Sequence, residues 1–139
     1  MYNSGVRDGE TEPDAERAAL ERAAEAGDVD AMYHLAVLVV EAEPEVGRGW
    51  YERAAEAGHA QAMNNLGTLV AKEDPQAARR LYERSAEAGN PVAMVNLGVL
   101  HSRSGDLGAA RALFERAAEL GDRQAKRILR WRWIVGLRR

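Results

Sequence analysis

A phrase of eight residues closing on glycine recurs four times along the chain: LERAAEAG at 20–27, YERAAEAG at 51–58, YERSAEAG at 82–89 and FERAAELG at 114–121. The closing glycines stand 31, 31 and 32 residues apart. A polar residue and, three positions on, an alanine follow each: Asp28 and Ala31, His59 and Ala62, Asn90 and Ala93, Asp122 and Ala125. A fixed period of this length marks stacked supersecondary units in which each touches chiefly its neighbours. Such a stack exists to present an extended surface, so the pattern points to holding a partner before it points to catalysis.

Within each period the apolar residues fall at steps of three and four, and none of the segments alternates as a strand would. Ala62, Met63, Leu66, Leu69 and Val70 form one stripe, and Ala78, Leu81, Tyr82 and Ala86 another. Asp74-Pro75 and Asn90-Pro91 place a capping side chain just ahead of a proline at the first helical position, where its missing N–H costs nothing. Thr11 with Asp14 reads as a capping box. The four closing glycines suit left-handed helix ends. These signals predict an all-α chain with helices near 13–26, 29–41, 45–57, 60–71, 75–88, 91–103, 107–120 and 122–136.

The chain of 139 residues holds no cysteine, which removes disulfides and thiolate metal sites. Its first residues, MYNSGVRDGETEP, show no apolar core of a secretory signal. No apolar run approaches the roughly 20 residues a membrane span needs. A cytoplasmic protein is expected. Arginine outnumbers lysine 17 to 2, which with the alanine and glycine content suggests a GC-rich bacterial genome. Net charge is −3, unevenly spread: residues 122–139 hold seven basic residues against Asp122 alone, leaving −9 on residues 1–121. Nucleic-acid binding is not expected, because only the tail is basic and no recognition motif accompanies it.

Set side by side, the units resemble Sel-one-like repeats, relatives of the tetratricopeptide repeat. The motif A-M-x-x-L-G stands at Ala62–Gly67 and Ala93–Gly98, each ahead of a glycine-ended helix, and in the first copy, Ala31–Ala36, alanine replaces the glycine. The resemblance covers roughly residues 14–130. Its inter-helix loops are compressed, and Ser104-Gly105-Asp106 is similar to the tetratricopeptide version. The resemblance implies a right-handed helix-turn-helix solenoid of about three repeats with a half-repeat at each end, a protein-binding scaffold without catalysis. Expected divisions are a flexible segment 1–12, the solenoid 13–121, and a capping helix with a basic Trp-rich tail, 122–139.

In that fold the first helix of each pair lines the concave face, and the residue before the motif leucine points into it. The resemblance thereby nominates His34, Asn65, Asn96 and Ile128, with Tyr33, Val37, Asn64, Thr68, Val95, Val99, Arg127 and Trp131 beside them. An asparagine there both donates to and accepts from a peptide backbone, a sequence-tolerant grip. The competing reading is that Asn65 and Asn96 bond to the adjacent helix and stiffen the stack. The partner expected is a protein or peptide. No cofactor and no metal are expected: His34, His59 and His101 occupy non-equivalent repeat positions without ligand spacing. No nucleophile constellation or glycine-rich loop after a strand is present, so an enzyme is not expected.

Tyr51, Tyr82 and Phe114 are equivalent and read as inter-helix packing, and Trp50 stands where Leu81 and Leu113 stand later. The tail, with Trp131, Trp133, Ile134 and Leu137, carries apolar residues over more than one helix face. It is read three ways: folded over the last repeat, mated with a partner or a second copy, or laid on an anionic membrane. The acidic body opposes the membrane reading.

Overall fold

The computed structural model describes Gly9 and residues 11–136, with side chains in the last helix as far as Trp131. All regular structure among the described residues is helical: α1 Glu12–Glu25, α2 Val29–Val39, α3 Pro44–Glu56, α4 Ala60–Val70, α5 Pro75–Glu87, α6 Pro91–Arg103, α7 Leu107–Glu119 and α8 Arg123–Gly136. Every boundary lies within two residues of the expected one. The helices gather into two compact units, Met1–His59 with α1 to α3 and Ala60–Arg139 with α4 to α8. That division falls at a boundary between repeats, inside the block expected over 13–121. Within each unit consecutive helices pack on one another, as connections of three or four residues require.

Glycine caps explain why α1, α3, α5, α6 and α7 stop where they do. Gly27 adopts φ 98°; its N–H bonds the carbonyl of Ala24 and the next N–H, of Asp28, bonds that of Ala23, both at 3.0 Å. This paired closure satisfies two carbonyls that would otherwise lack donors, and it needs a left-handed residue that glycine supplies without strain. Gly58, Gly89, Gly105 and Gly121 repeat it. The residue after each turn then caps the next helix where it carries a short polar side chain. Asp28 accepts from Ala31 N–H, Asn90 from Val92 N–H and Asp122 from Ala125 N–H. At the start of α1, the Asp14 carboxylate accepts from both the N–H and the hydroxyl of Thr11.

Alanine permits the helices to approach. Ala24, Ala55 and Ala86 are buried at one position of the repeated phrase, and Ala54 and Ala117 at the position before it. The aromatic positions Tyr51, Tyr82 and Phe114 are buried too. Full burial of side chains of this size contributes about 1.5–3 kcal/mol each. One core position departs from the pattern. Ser85 stands where other repeats have alanine, is fully buried, and donates to the Ala60 carbonyl at 2.6 Å. Asn90 Nδ2 reaches the same oxygen at 3.4 Å. These bonds fasten the far end of α5 to the start of α4.

The charged surface is organised helix by helix. Arg17–Glu21, Arg48–Glu52, Arg79–Glu83 and Arg111–Glu115 are i,i+4 ion pairs at 2.8, 3.1, 3.1 and 2.7 Å. Arg17 also grips a second carboxylate, Glu43, with both terminal nitrogens at 3.1 and 2.9 Å.

Candidate partner-binding surface

Two open clefts occupy the same place in two different repeats. In the first unit, Glu16 and Leu20 of α1 face His34, Val37 and Leu38 of α2 across a cleft of about 430 Å³. In the second, Ala78 and Tyr82 of α5 face Asn96, Val99 and Leu100 of α6 across one of about 260 Å³, with Ala71, Pro75 and Arg103 completing the wall. Leu20 and Tyr82 each stand at the head of the glycine-ended phrase, with Glu16 and Ala78 one turn before them. His34 and Asn96 each precede the motif leucine. Val37 and Leu38 are substantially exposed. A spacing of three and four residues puts His34, Val37 and Leu38 on one stripe of α2, which is why they share a wall.

The asparagines form a ladder in the second unit. Asn96 Nδ2 donates to Asn64 Oδ1 at 2.9 Å, and Asn64 Nδ2 lies 3.4 Å from Asn65 Oδ1. The Thr68 hydroxyl bonds the Asn64 carbonyl at 3.2 Å. Because it has one proton, its 3.2 Å contact with the Tyr82 hydroxyl has Tyr82 as donor. Asn96 thus commits its amide nitrogen to the neighbouring helix α4, as the stiffening reading required. Its carbonyl oxygen has no donor among the described residues. Asn65 and Asn96 are both half-buried.

Two expected surface residues are corrected. Val95 is 1% exposed and Asn64 6% exposed. One step along a helix turns a side chain by about 100°, and the residue before Asn65 or Asn96 is thereby carried inward from the open face. Tyr33, their equivalent in α2, is half-buried and engaged. Its ring stacks on His59 with centroids 4.5 Å apart and planes at 17°, and lies 6.2 Å from Tyr51. His59 Nε2 in turn sits 3.3 Å from Asp30 Oδ1. Of the remaining expected residues, Thr68 and Arg127 are exposed. Trp131 of α8 is 67% exposed and so does not fold back onto its own unit. The side chains of Trp133 and Ile134, and all of Leu137, lie outside the described residues, as does most of segment 1–12.

Sequence reasoning missed the second wall of each cleft, Glu16 and Leu20 or Ala78 and Tyr82, and the terminal Arg103. Their shared register within the repeated phrase was the available signal. No group of three or more His, Cys, Asp or Glu side chains suited to a metal occurs among the described residues. No described helix is long and apolar enough to cross a membrane.

The Sel1 repeat family matches residues 1–28, 29–59 and 60–90, and the tetratricopeptide repeat matches residues 92–121. Two of the Sel1 matches begin at the first residues of α2 and α4, so each spans one helix pair. The tetratricopeptide match spans α6 and α7 and contains the Ser104-Gly105-Asp106 turn between them. No curated protein matches the chain. Among solved structures, a Sel1 repeat protein from Oxalobacter formigenes is 28% identical with a TM-score of 0.71, over 81% of this chain and 96% of that one. The protective antigen c5321 of uropathogenic Escherichia coli strains, which displays an SLR fold, is 27% identical with a TM-score of 0.73. That match covers 78% of this chain and 26% of the antigen. MamA, at 17% identity and a TM-score of 0.56 over 81% of this chain and 75% of its own, shares the fold alone. With matches over more than half of its length, the chain belongs to the Sel1 repeat family.

Proposed function

We propose that this chain is a non-catalytic adaptor that binds an extended segment of a partner protein on the open faces of its first-of-pair helices. A cytoplasmic setting is part of the proposal. The observation that supports it is the recurrence of the cleft. Repeat-equivalent residues, His34 with Val37 and Asn96 with Val99, line open, largely apolar walls in both units. A surface serving only to cap a core has no reason to leave an aliphatic wall uncovered at the same register twice. Asn96 adds an accessible carbonyl oxygen suited to a peptide N–H.

The test is capture of a partner from native lysate by the wild type and by Val37→Arg and Val99→Arg variants with unchanged helical circular dichroism. The proposal expects at least one variant to lose the partner. Retention by both, and by the double variant, would remove these walls from the binding surface.

A second reading draws on the exposure of Trp131, since exposed aromatic side chains flanked by arginine are common anchors at interfaces. On that reading the chain self-assembles through α8. Solution mass of the wild type against Trp131→Ser decides it: self-assembly predicts a fall in mass for the variant, and an unchanged mass removes the reading.

A further inference from the structure

The two equivalent clefts carry opposite charge. In the first unit the wall includes Glu16, an exposed carboxylate with no ion pair among the described residues. The nearest cation in sequence, Arg17, is already held by Glu21 and Glu43. In the second unit the position of Glu16 is taken by Ala78, and the charged member of the wall is Arg103. Its guanidinium is exposed and unpaired among the described residues. Asp106, three residues on, caps α7 through Ala109 N–H, and Asp74, next to Pro75 of the same wall, caps α5 through Ala77 N–H. Arg103 stands at the repeat position that Glu41 holds in the first unit and Lys72 holds beside Ala71 in the second. Opposite signs therefore stand at the helix-end register, Glu41 against Arg103, while on the helix wall a carboxylate stands where the second unit is neutral.

Resting on the adaptor reading above, we infer that the α5–α6 cleft seats an aliphatic side chain of an extended partner segment that carries an acidic residue two positions away, on the same face. Val99, Leu100 and Ala78 cover the aliphatic group, the Asn96 carbonyl oxygen accepts a backbone N–H, and Arg103 meets the carboxylate. The α1–α2 cleft serves as the internal counterpart, with a similar aliphatic lining and a preference for a basic residue at that second position. Aliphatic burial supplies most of the attraction, while the exposed charge selects among segments.

The experiment titrates the full-length chain with two capped tetrapeptides, acetyl-Leu-Gly-Glu-Gly-amide and acetyl-Leu-Gly-Lys-Gly-amide, followed by amide nitrogen–proton correlation spectra. Short ligands of this size bind at about millimolar concentration. The expected result is that the Glu peptide is favoured about two- to fivefold at Ala78, Val99 and Arg103, the scale an exposed charge pair supports. The Lys peptide is favoured at Leu20, Val37 and Leu38. Arg103→Glu reverses the preference in the second unit and leaves that of the first unit intact. The inference is overturned if neither peptide perturbs these amides, if both do so equally, or if Arg103→Glu leaves the preference unchanged. Partner capture lost on Val37→Arg or Val99→Arg, together with indifferent peptides, would refute the charge selection and keep the adaptor reading.

Discussion

The hairpin of α2 and α3 and the hairpin of α6 and α7 each bring two helices into close approach, with the glycine on opposite partners. In α6–α7 the glycine is on the first helix: a Cβ on Gly98 would lie 2.7 Å from Phe114 Cε1. Gly67 meets Tyr82 in the same way in α4–α5, at 2.8 Å. In α2–α3 the corresponding residue is Ala36, fully buried, and the glycine has moved to the second helix. There a Cβ on Gly47 would lie 2.5 Å from Val40 Cα. The later hairpins set a glycine under an aromatic ring, and the first sets it against backbone. A close approach thus recurs in all three hairpins, and the helix that supplies the glycine changes.

The difference can be broken most severely at Gly47. Backbone at Val40 cannot rotate away, so Gly47→Ala is expected to cost about 3 kcal/mol, the upper part of the range for overpacking. A thermal melt followed by circular dichroism would show a fall of about 10 °C for a loss of that size; an unchanged midpoint would mean the α2–α3 contact is soft. Gly98→Ala should cost less. The Phe114 ring can tilt, and alanine regains up to ~1 kcal/mol of helix propensity, leaving a net loss of about 1 kcal/mol. The comparison sharpens with Gly49, two residues beyond Gly47 in α3, where an added Cβ meets nothing within 4 Å. Gly49→Ala is expected to stabilise by about 0.5–1 kcal/mol, so adjacent substitutions in one helix should shift the melt in opposite directions.

The smallest effect is electrostatic. Hydrogen bonds from Arg17 hold the Glu43 carboxyl below the usual carboxylate range. A lowered folded-state value means the contribution is present at neutral pH and lost as pH falls through that range and below it. Both side chains are well exposed, so screening by salt should shrink the difference further. Comparing melts of the wild type and Glu43→Gln at neutral and acid pH checks this: the gap between them should narrow in acid, and a gap that widens would refute the assignment.

The helices were legible because every boundary carries several agreeing signals. Asn90-Pro91 and Gly89, for example, mark one end and the next beginning within three residues, and backbone caps are local. The Gly67–Tyr82 and Gly98–Phe114 contacts could be inferred only as generic packing, since nothing in a sequence says which helix yields at a crossing. The candidate surface was legible in part. His34, Val37, Asn96 and Val99 share a stripe that periodicity identifies, and all line clefts. Asn64 and Val95 were misplaced because a single position on a helix separates open face from buried flank, and which flank is buried depends on the neighbouring helix. Arg103 went unseen for a related reason: it lies at a helix end, past the motif that drew attention to α6.

The self-contained ion pairs along the glycine-ended helices bear on how such a chain can grow. Because Arg79 is answered by Glu83 and Arg111 by Glu115 within a single helix, a segment of one period there brings its own counter-charges when it is copied or lost. Insertion of a repeat leaves no stranded charge for its new neighbours to neutralise. Arg17, whose guanidinium also holds Glu43 on the next hairpin, is an exception, and it ties α1 to one particular successor. Gene-level duplication would therefore be tolerated more readily among the later repeats than at the seam between α1 and the hairpin that follows it.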